Sequence, residues 1–441
     1  MLTYEVVQHR TWSLPFLALV CSSLVTYCAG AAAGAAGAAG VAPFSPTIYY
    51  EAVFTSPWNG DRSNNGLQHL EHVNICVPSH DPAKHLYYEL LGLVPDARRA
   101  QNIGKGSGTI WANIGTNQIH LPVGEPQVVP GTIGLVYDSG DLVEVLTRLK
   151  SATSGDVDRF DGTEFGWREA KGGEEKANTL VEVTCPYGER GREHRVKQRP
   201  AIPATATATA EGNVFRLHER KASFDRESAG ALDPRGGRLP NVPVAEGTSP
   251  ISPLGLGIAY VSFRARPGTA GGIARFYREV FSTEAKEIGG NGPGGDVGDG
   301  GDASCAAEGG TGVQTCSMGE AKTAVVRVGP VQYLAFVERG GGAPPKEYDG
   351  HHVCVYLSEE GFRHSFVEAE RLGLVFVNPR RNHGKADTLE KALEEKQFRI
   401  KNMVDPATGE LLHELEHEIR SVAHPSYPVG RDLSAETPTK T

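Results

Sequence analysis

No C-x-x-C pair and no zinc-finger spacing occurs among the seven cysteines, Cys21, Cys28, Cys76, Cys185, Cys305, Cys316 and Cys354, so they build neither a finger nor a disulfide framework. Cys76 and Cys354 sit in apolar, strand-like runs and read as buried hydrophobes; Cys305 and Cys316 share a glycine-rich stretch in which a disulfide is open. Basic excess is missing too. Lys+Arg number 44 against 53 Asp+Glu, a formal charge of −9, which leaves no surplus to neutralise nucleic-acid phosphates or an anionic membrane. There is no N-x-S/T sequon, no G-x-S-x-G elbow and no P-loop, and Gly104-Lys-Gly-Ser-Gly108 reads as a hairpin turn rather than a phosphate cradle. Serine-hydrolase and kinase chemistry fall away with them.

An apolar run of the roughly 20 residues that a membrane span requires is also absent. The run from Leu14 to Ala29 is broken by Ser22, Ser23 and Thr26, follows His9 and Arg10, and leads into a small-residue stretch from Gly30 to Gly40. That pattern predicts a targeting segment over residues 1–45, a signal peptide for the secretory pathway or a two-part plastid presequence, with no membrane association once it is removed.

What is present is a long, soluble-type composition. At 441 residues, with 39% hydrophobic and 22% charged, the chain exceeds one core, and 54 glycines require much of it to be loop. Short apolar strands alternate with amphipathic helices, and the order recurs four times. The first unit has a strand at His72 to Val77, a helix opened by Ser79 or Asp81 and closed by Gly92, and strands at Thr109 to Ile114 and Gln118 to Val123. The second has Thr132 to Tyr137, a helix at Leu142 to Leu149, then Leu180 to Thr184 and Asn213 to His218. The third has Ile258 to Ala265, a helix at Ile273 to Phe281, Ala324 to Val328 and Gln332 to Glu338. The fourth has His352 to Leu357, a helix at Phe362 to Leu372, Phe398 to Val404 and Leu411 to Arg420. A polar stretch at 222–253 reads as a linker, and 189–212 and the glycine-rich 289–319 read as loop inserts. Residues 66–221 and 254–428 are thus expected as two domains of two units each, with a tail at 429–441.

The strings His72-Val-Asn-Ile-Cys-Val with Leu86-Tyr-Tyr-Glu-Leu-Leu-Gly-Leu93, Gln118-Ile-His-Leu-Pro122 and His351-His-Val-Cys-Val-Tyr356 resemble modules of the vicinal oxygen chelate superfamily, which includes glyoxalase I, bleomycin and fosfomycin resistance proteins and extradiol dioxygenases. The resemblance spans most of 68–424. It implies an α+β fold of four βαβββ modules paired into two cupped mixed sheets, each around a divalent metal, with ligands on the first and last strands of a module. Position by position it points to His72, His120, His352 and Glu416 as metal ligands and to Glu414 or Glu416 as a proton-moving catalytic carboxylate. It further points to Arg216, His218 and Tyr260 at the corresponding substrate-facing places of the other modules, where Thr132 replaces a ligand. Nitrogen and oxygen donors suit zinc, iron, nickel or manganese. Under the expected pairing neither domain holds two histidines and a carboxylate. The resemblance therefore implies either a lyase, isomerase or dioxygenase acting on a small substrate with vicinal oxygens, or a non-catalytic small-molecule binder, in a monomer or homodimer. Tyr87, Tyr88, Phe276 and Tyr277 fall at matching helical positions and read as packing residues.

One rival motif remains. His413-Glu-Leu-Glu-His417 matches H-E-x-x-H, which on a helix would present two zinc-binding histidines and a general base, as in a metalloprotease. Periodicity permits helix or strand there, and Asp405-Pro-Ala-Thr-Gly409 before it reads as the turn ahead of a last strand.

Overall fold

The computed structural model describes residues 66–155, 160, 165–170, 180–188, 212–220, 254–289, 321–329, 331–338, 348–379 and 386–427. The segments expected as a targeting segment, a linker and a tail, and nearly all of both expected inserts, lie outside the described residues, as do Cys21, Cys28, Cys305 and Cys316. Cys76, Cys185 and Cys354 are not in disulfides. Among the described residues no helix is long and apolar enough to cross a membrane.

Fifteen strands are described, and they form two mixed sheets. The first module contributes β1 (Leu67–Asn74), β2 (Val94–Pro95), β3 (Thr109–Ile114) and β4 (Asn117–Pro122). The second gives β5 (Gly131–Tyr137), β6 (Gly166–Ala170), β7 (Leu180–Gly188) and β8 (Gly212–Glu219). The third gives β9 (Gly257–Ala265), β10 (Ala285–Ile288), β11 (Thr323–Gly329) and β12 (Gln332–Glu338). The fourth gives β13 (His352–Leu357), β14 (Gln397–Val404) and β15 (Leu411–Ser421). Among the described residues its remaining strand is represented by a single bridge between Val375 and Ile400. A helix follows the first strand of every module: His80–Lys84 continued by a π-helical turn at His85–Leu90, then Ser139–Gly155, Ala270–Phe281 and Glu359–Arg371. This is the α+β, four-module βαβββ arrangement that the resemblance implies.

The pairing of modules differs from the expected one. The sheet orders are β14-β15-β13-β1-β4-β3-β2 and β10-β11-β12-β9-β5-β8-β7-β6, so the first module pairs with the fourth and the second with the third. Residues 66–221 and 254–428 are therefore not two self-contained halves. In each sheet the two first strands pair antiparallel at the centre, β1 with β13 and β5 with β9, and each is flanked by its own module's last strand running parallel. Neighbouring modules along the chain are common partners, but a first strand pairs with whichever first strand offers a matching open edge, and here the second and third modules close on one another.

Alternation along the strands sends one face of each sheet to the core. In the first sheet Val73, Ile119, Val353, Val355, Leu415, Ile419, Phe398 and Ile400 are buried in that core, while the opposite face carries His72, His120, His352, Glu416, Glu418 and Arg399. The helix Ala270–Phe281 packs against strands of both sheets, and Tyr87, Tyr88, Phe276 and Tyr277 are fully buried as packing residues.

Two buried amides join the sheets. Asn117, at the start of β4, donates to the Leu70 carbonyl at 2.5 Å and accepts from the Ile258 amide at 2.8 Å. Gln332, at the matching start of β12, accepts from the Leu70 amide at 3.0 Å and donates to the carbonyls of Leu70 and Ile258 at 3.2 and 3.0 Å. Each amide thus serves backbone groups that would otherwise be orphaned where β1 and β9 approach. Replacing Gln332 by Leu removes three such bonds, and chemical denaturation should show a loss of roughly 3 kcal/mol with an unchanged denaturant slope. A loss below about 0.5 kcal/mol would mean that the clamp does not hold the sheets.

Candidate metal centre

The β1–β13 pair sets the centre. His72 stands opposite Cys354, Cys354 opposite Glu418 and Glu418 opposite Arg399, one row across β1, β13, β15 and β14. One step along, Asn74 stands opposite both His120 and His352, and His352 opposite Glu416. Within these two rows donor atoms of His72, His352 and Glu418 all lie within 4.8 Å of one another. Glu418 Oε2 is 3.6 Å from His352 Nε2 and 3.9 Å from His72 Nε2. The three side chains are 1–3% exposed.

Of the residues expected from sequence, His72, His120 and His352 do meet on one face, because the first and fourth modules share a sheet. His120 is stacked on His72 with ring centroids 3.7 Å apart, and on its other side lies Trp111 at 4.4 Å. Its Nε2 donates to Gln118 Oε1 at 3.0 Å, and Gln118 in turn donates to Asp96 and Asn113, both at 2.6 Å, so Nδ1 keeps the lone pair. His120 therefore borders the three-donor group without joining it.

Glu416 is drawn elsewhere. Arg399 and Asn378 donate to its carboxylate, the latter at 3.1 Å to each oxygen, and the Tyr348 hydroxyl reaches Oε2 at 3.4 Å. Glu414 lies at the partly exposed edge of β15, paired with Lys401 at 2.8 Å. The carboxylate in the three-donor group is Glu418, two residues further along the same face. The sequence signal was present in the alternation Glu414, Glu416, Glu418, but only the β13–β15 register selects among them.

Sequence reasoning also missed the charges that surround Glu418. Arg399 bridges Glu416 and Glu418, and Arg420 bridges Glu418 and Glu71; Arg399 is 1% exposed. Burial works to raise the Glu418 carboxyl, and the guanidiniums of Arg399 and Arg420 overcome it, holding it well below the usual carboxylate range. Burial likewise opposes ionisation of Glu416, and His352, Arg399 and Asn378 bring it below its ordinary value. His72 and His120 are both lowered by burial, His120 further by its stacked neighbour His72, so they are neutral imidazoles at pH 7.

Three carboxylates, Glu71, Glu416 and Glu418, thus face two guanidiniums, and His352 beside Glu416 and Glu418 is a further group there that favours their charged forms. His72 adds a second signal: although the residue is 1% exposed, neither ring nitrogen makes a hydrogen bond of good geometry, Nδ1 meeting Glu71 Oε2 at 3.4 Å and Nε2 meeting Glu418 Oε2 at 3.9 Å. A buried neutral imidazole with poorly satisfied nitrogens, beside another imidazole and an anionic carboxylate, fits a divalent cation of the zinc, iron, nickel or manganese kind.

The second sheet is different. Arg216 pairs with Glu182 at 3.1 Å, and His218 Nε2 meets the Tyr260 hydroxyl at 3.0 Å. Tyr260 lies over Gly134, stacks on Tyr333 at 5.1 Å and has its phenol pushed up to about 12 by burial. Gly134 takes no side chain there, since a Cβ would stand 2.1 Å from the Tyr260 ring. The three residues expected at substrate-facing places lie together, but the aromatic pair fills the face and no three-donor group occurs there among the described residues.

H-E-x-x-H lies on strand β15, not on a helix, which removes the metalloprotease reading. His417 faces the core, where Nδ1 donates to the Leu415 carbonyl at 2.8 Å and Nε2 accepts from the Tyr277 hydroxyl at 2.6 Å. His413 packs edge-on against Phe263 and Phe336.

Solved structures offer likenesses at low identity. Glyoxalase I from Zea mays is 11% identical, with 84% of this chain and 97% of that chain covered at a TM-score of 0.42. 2,2',3-Trihydroxybiphenyl 1,2-dioxygenase from Sphingomonas wittichii is 11% identical over 80% and 90%, at 0.23, and a catechol 2,3-dioxygenase 11% over 81% and 93%, at 0.24. No family profile matches the chain, and no curated protein does. Values this low decide nothing about activity; strand order and register establish the fold.

His413 gives a pH test. Burial, with His351, His417 and Arg266 nearby, lowers its folded pKa from 6.5 to about 3. The unfolded chain therefore binds this proton first, so the stability it confers is complete above pH 6.5 and drains as pH falls from there toward 3. The contribution is up to about 1.4 kcal/mol per pH unit. Urea midpoints of His413→Phe should vary less steeply than wild type between pH 6.5 and 4; parallel curves would refute the burial of a neutral imidazole here.

Proposed function

We propose that the chain is a metal-dependent enzyme of the glyoxalase and dioxygenase kind, acting on a small substrate with vicinal oxygens. The observation that carries the reading is the convergence of His72, His352 and Glu418 on one buried face of the first sheet, beside an ionised carboxylate network. Two imidazoles and one carboxylate are an open donor set that leaves positions for substrate oxygens. A cation held there would supply Lewis-acid polarisation of those oxygens or, if redox-active, dioxygen chemistry.

The remaining residues have definable roles in this reading. Arg399 and Arg420 keep Glu418 ionised and aimed, so that it binds as an anion without first losing a proton. Gln118 locks the tautomer of His120, whose ring with Trp111 walls one side of His72 and keeps water off it. Glu416, ionised and beside His352, is the candidate proton acceptor of the face, held in place by Arg399, Asn378 and Tyr348. A non-catalytic small-molecule binder is the second reading, favoured by the second sheet, where stacked Tyr260 and Tyr333 replace metal donors.

Metal analysis of the full chain by plasma mass spectrometry, followed by glyoxalase and dioxygenase substrate screens, tests the proposal. We expect about one divalent ion per chain in wild type. Its affinity should fall roughly 100-fold or more in His352→Ala and Glu418→Gln. Glu416→Gln should retain the ion and lose about 100- to 10,000-fold in turnover. Metal-free wild type that still binds aromatic ligands would leave the binder reading.

A further inference from the structure

Consecutive residues of a strand point to opposite faces, yet Glu71 and His72 both reach the polar face of the first sheet. The cause is a break in register between Leu70 and His72, where β1 bulges against β13. A bulge at that place re-aims one extra side chain, and the residue gained is a carboxylate that is 1% exposed. Glu71 Oε2 then lies 3.4 Å from His72 Nδ1 and 3.3 Å from Cys354 Sγ, the thiol facing His72 across the strand pair. Donor atoms of the three residues lie within 4.8 Å of one another.

His72 therefore presents its two nitrogens to two different groups: Nε2 toward Glu418 and His352, and Nδ1 toward Glu71 and Cys354. Nδ1 has the Glu71 carboxylate at 3.4 Å but no hydrogen bond of good geometry, which leaves that nitrogen of a fully buried ring poorly satisfied.

We propose that Glu71, His72 and Cys354 form a second cation position, selective for thiophilic divalent ions such as zinc, cobalt(II) or cadmium. It goes beyond the nitrogen and oxygen site proposed above, with which it shares only His72. Sulfur, nitrogen and carboxylate oxygen are together the donors of zinc-type centres, whereas the group on the Nε2 side contains no sulfur. On binding, the Cys354 S–H bond breaks, the sulfur–metal bond forms and that proton passes to solvent, while His72 binds through Nδ1 with its one N–H proton held on Nε2, so the two positions are filled in turn rather than together, with no change of oxidation state. Arg420 pairs with Glu418 as well as Glu71, so it keeps a partner when the Glu71 carboxylate turns to the ion.

Cobalt(II) titration of the full chain, followed by near-ultraviolet absorption, reads the sulfur directly. The expected result is a thiolate-to-cobalt charge-transfer band that is lost in Cys354→Ser, weakened at least tenfold in apparent affinity in Glu71→Gln, and retained in His352→Ala. Bound cobalt with no such band in wild type, lost on His352→Ala, overturns this position and leaves the nitrogen and oxygen site standing. A band that survives Cys354→Ser overturns it by placing the sulfur on another cysteine. Absence of any bound cobalt overturns both. The wild-type spectrum decides the first of these outcomes even where a variant fails to fold.

Discussion

The antiparallel pairing of β1 with β13 brings residues almost 300 positions apart into register, and the candidate centre exists only because of it. Leu70 stands opposite Val355, His72 opposite Cys354 and Asn74 opposite His352. With β4 and β15 added in parallel on either flank, the same register delivers His120 and Glu418. A slip of one residue would send the histidines into the apolar core and Val73, Val353 and Val355 onto the polar face, so core burial itself enforces the alignment. The amide clamps of Asn117 and Gln332 act on the same stretch, since both bind the backbone of Leu70 just before the bulge.

Charge is the second constraint. A buried guanidinium such as Arg399 costs several kcal/mol to desolvate and is tolerated only with full pairing. Its partners Glu416 and Glu418 are themselves buried, and Arg420 closes the network through Glu71. Apolar residues of similar volume would make a steadier core, so a network of five charges on an otherwise well-packed sheet is expensive structure with a use for its charge.

Most of the elements were legible in the sequence, because alternation of apolar residues and the helix stops at Gly92 and Phe281 are local signals. The strand Thr109 to Ile114 and the strand His352 to Leu357 occur as read. The short strands β2, β6 and β10 were not legible; they carry few apolar residues and owe their form to an adjacent edge. Module pairing was illegible for a deeper reason. Each first strand is compatible with any other, and proximity along the chain favoured the wrong partner. The same gap explains the centre: three histidines were identified from their strand positions, but the carboxylates named were Glu414 and Glu416 and not Glu418, and Glu71 was hidden by a bulge that strict alternation cannot anticipate. The H-E-x-x-H string shows the converse error, a motif whose spacing matches while its backbone is extended and one histidine is bound to Tyr277 in the core.

The most direct test is anomalous-scattering diffraction from crystals of the full chain grown with manganese. Manganese favours nitrogen and oxygen donors over sulfur, so it addresses the group on the Nε2 side of His72. The account predicts a peak on the polar face of the first sheet, bounded by His72, His352 and Glu418, and none beside Tyr260 and His218. A peak on the second sheet, or clear density showing the three donors closed around one another with no ion at saturating manganese, would contradict it.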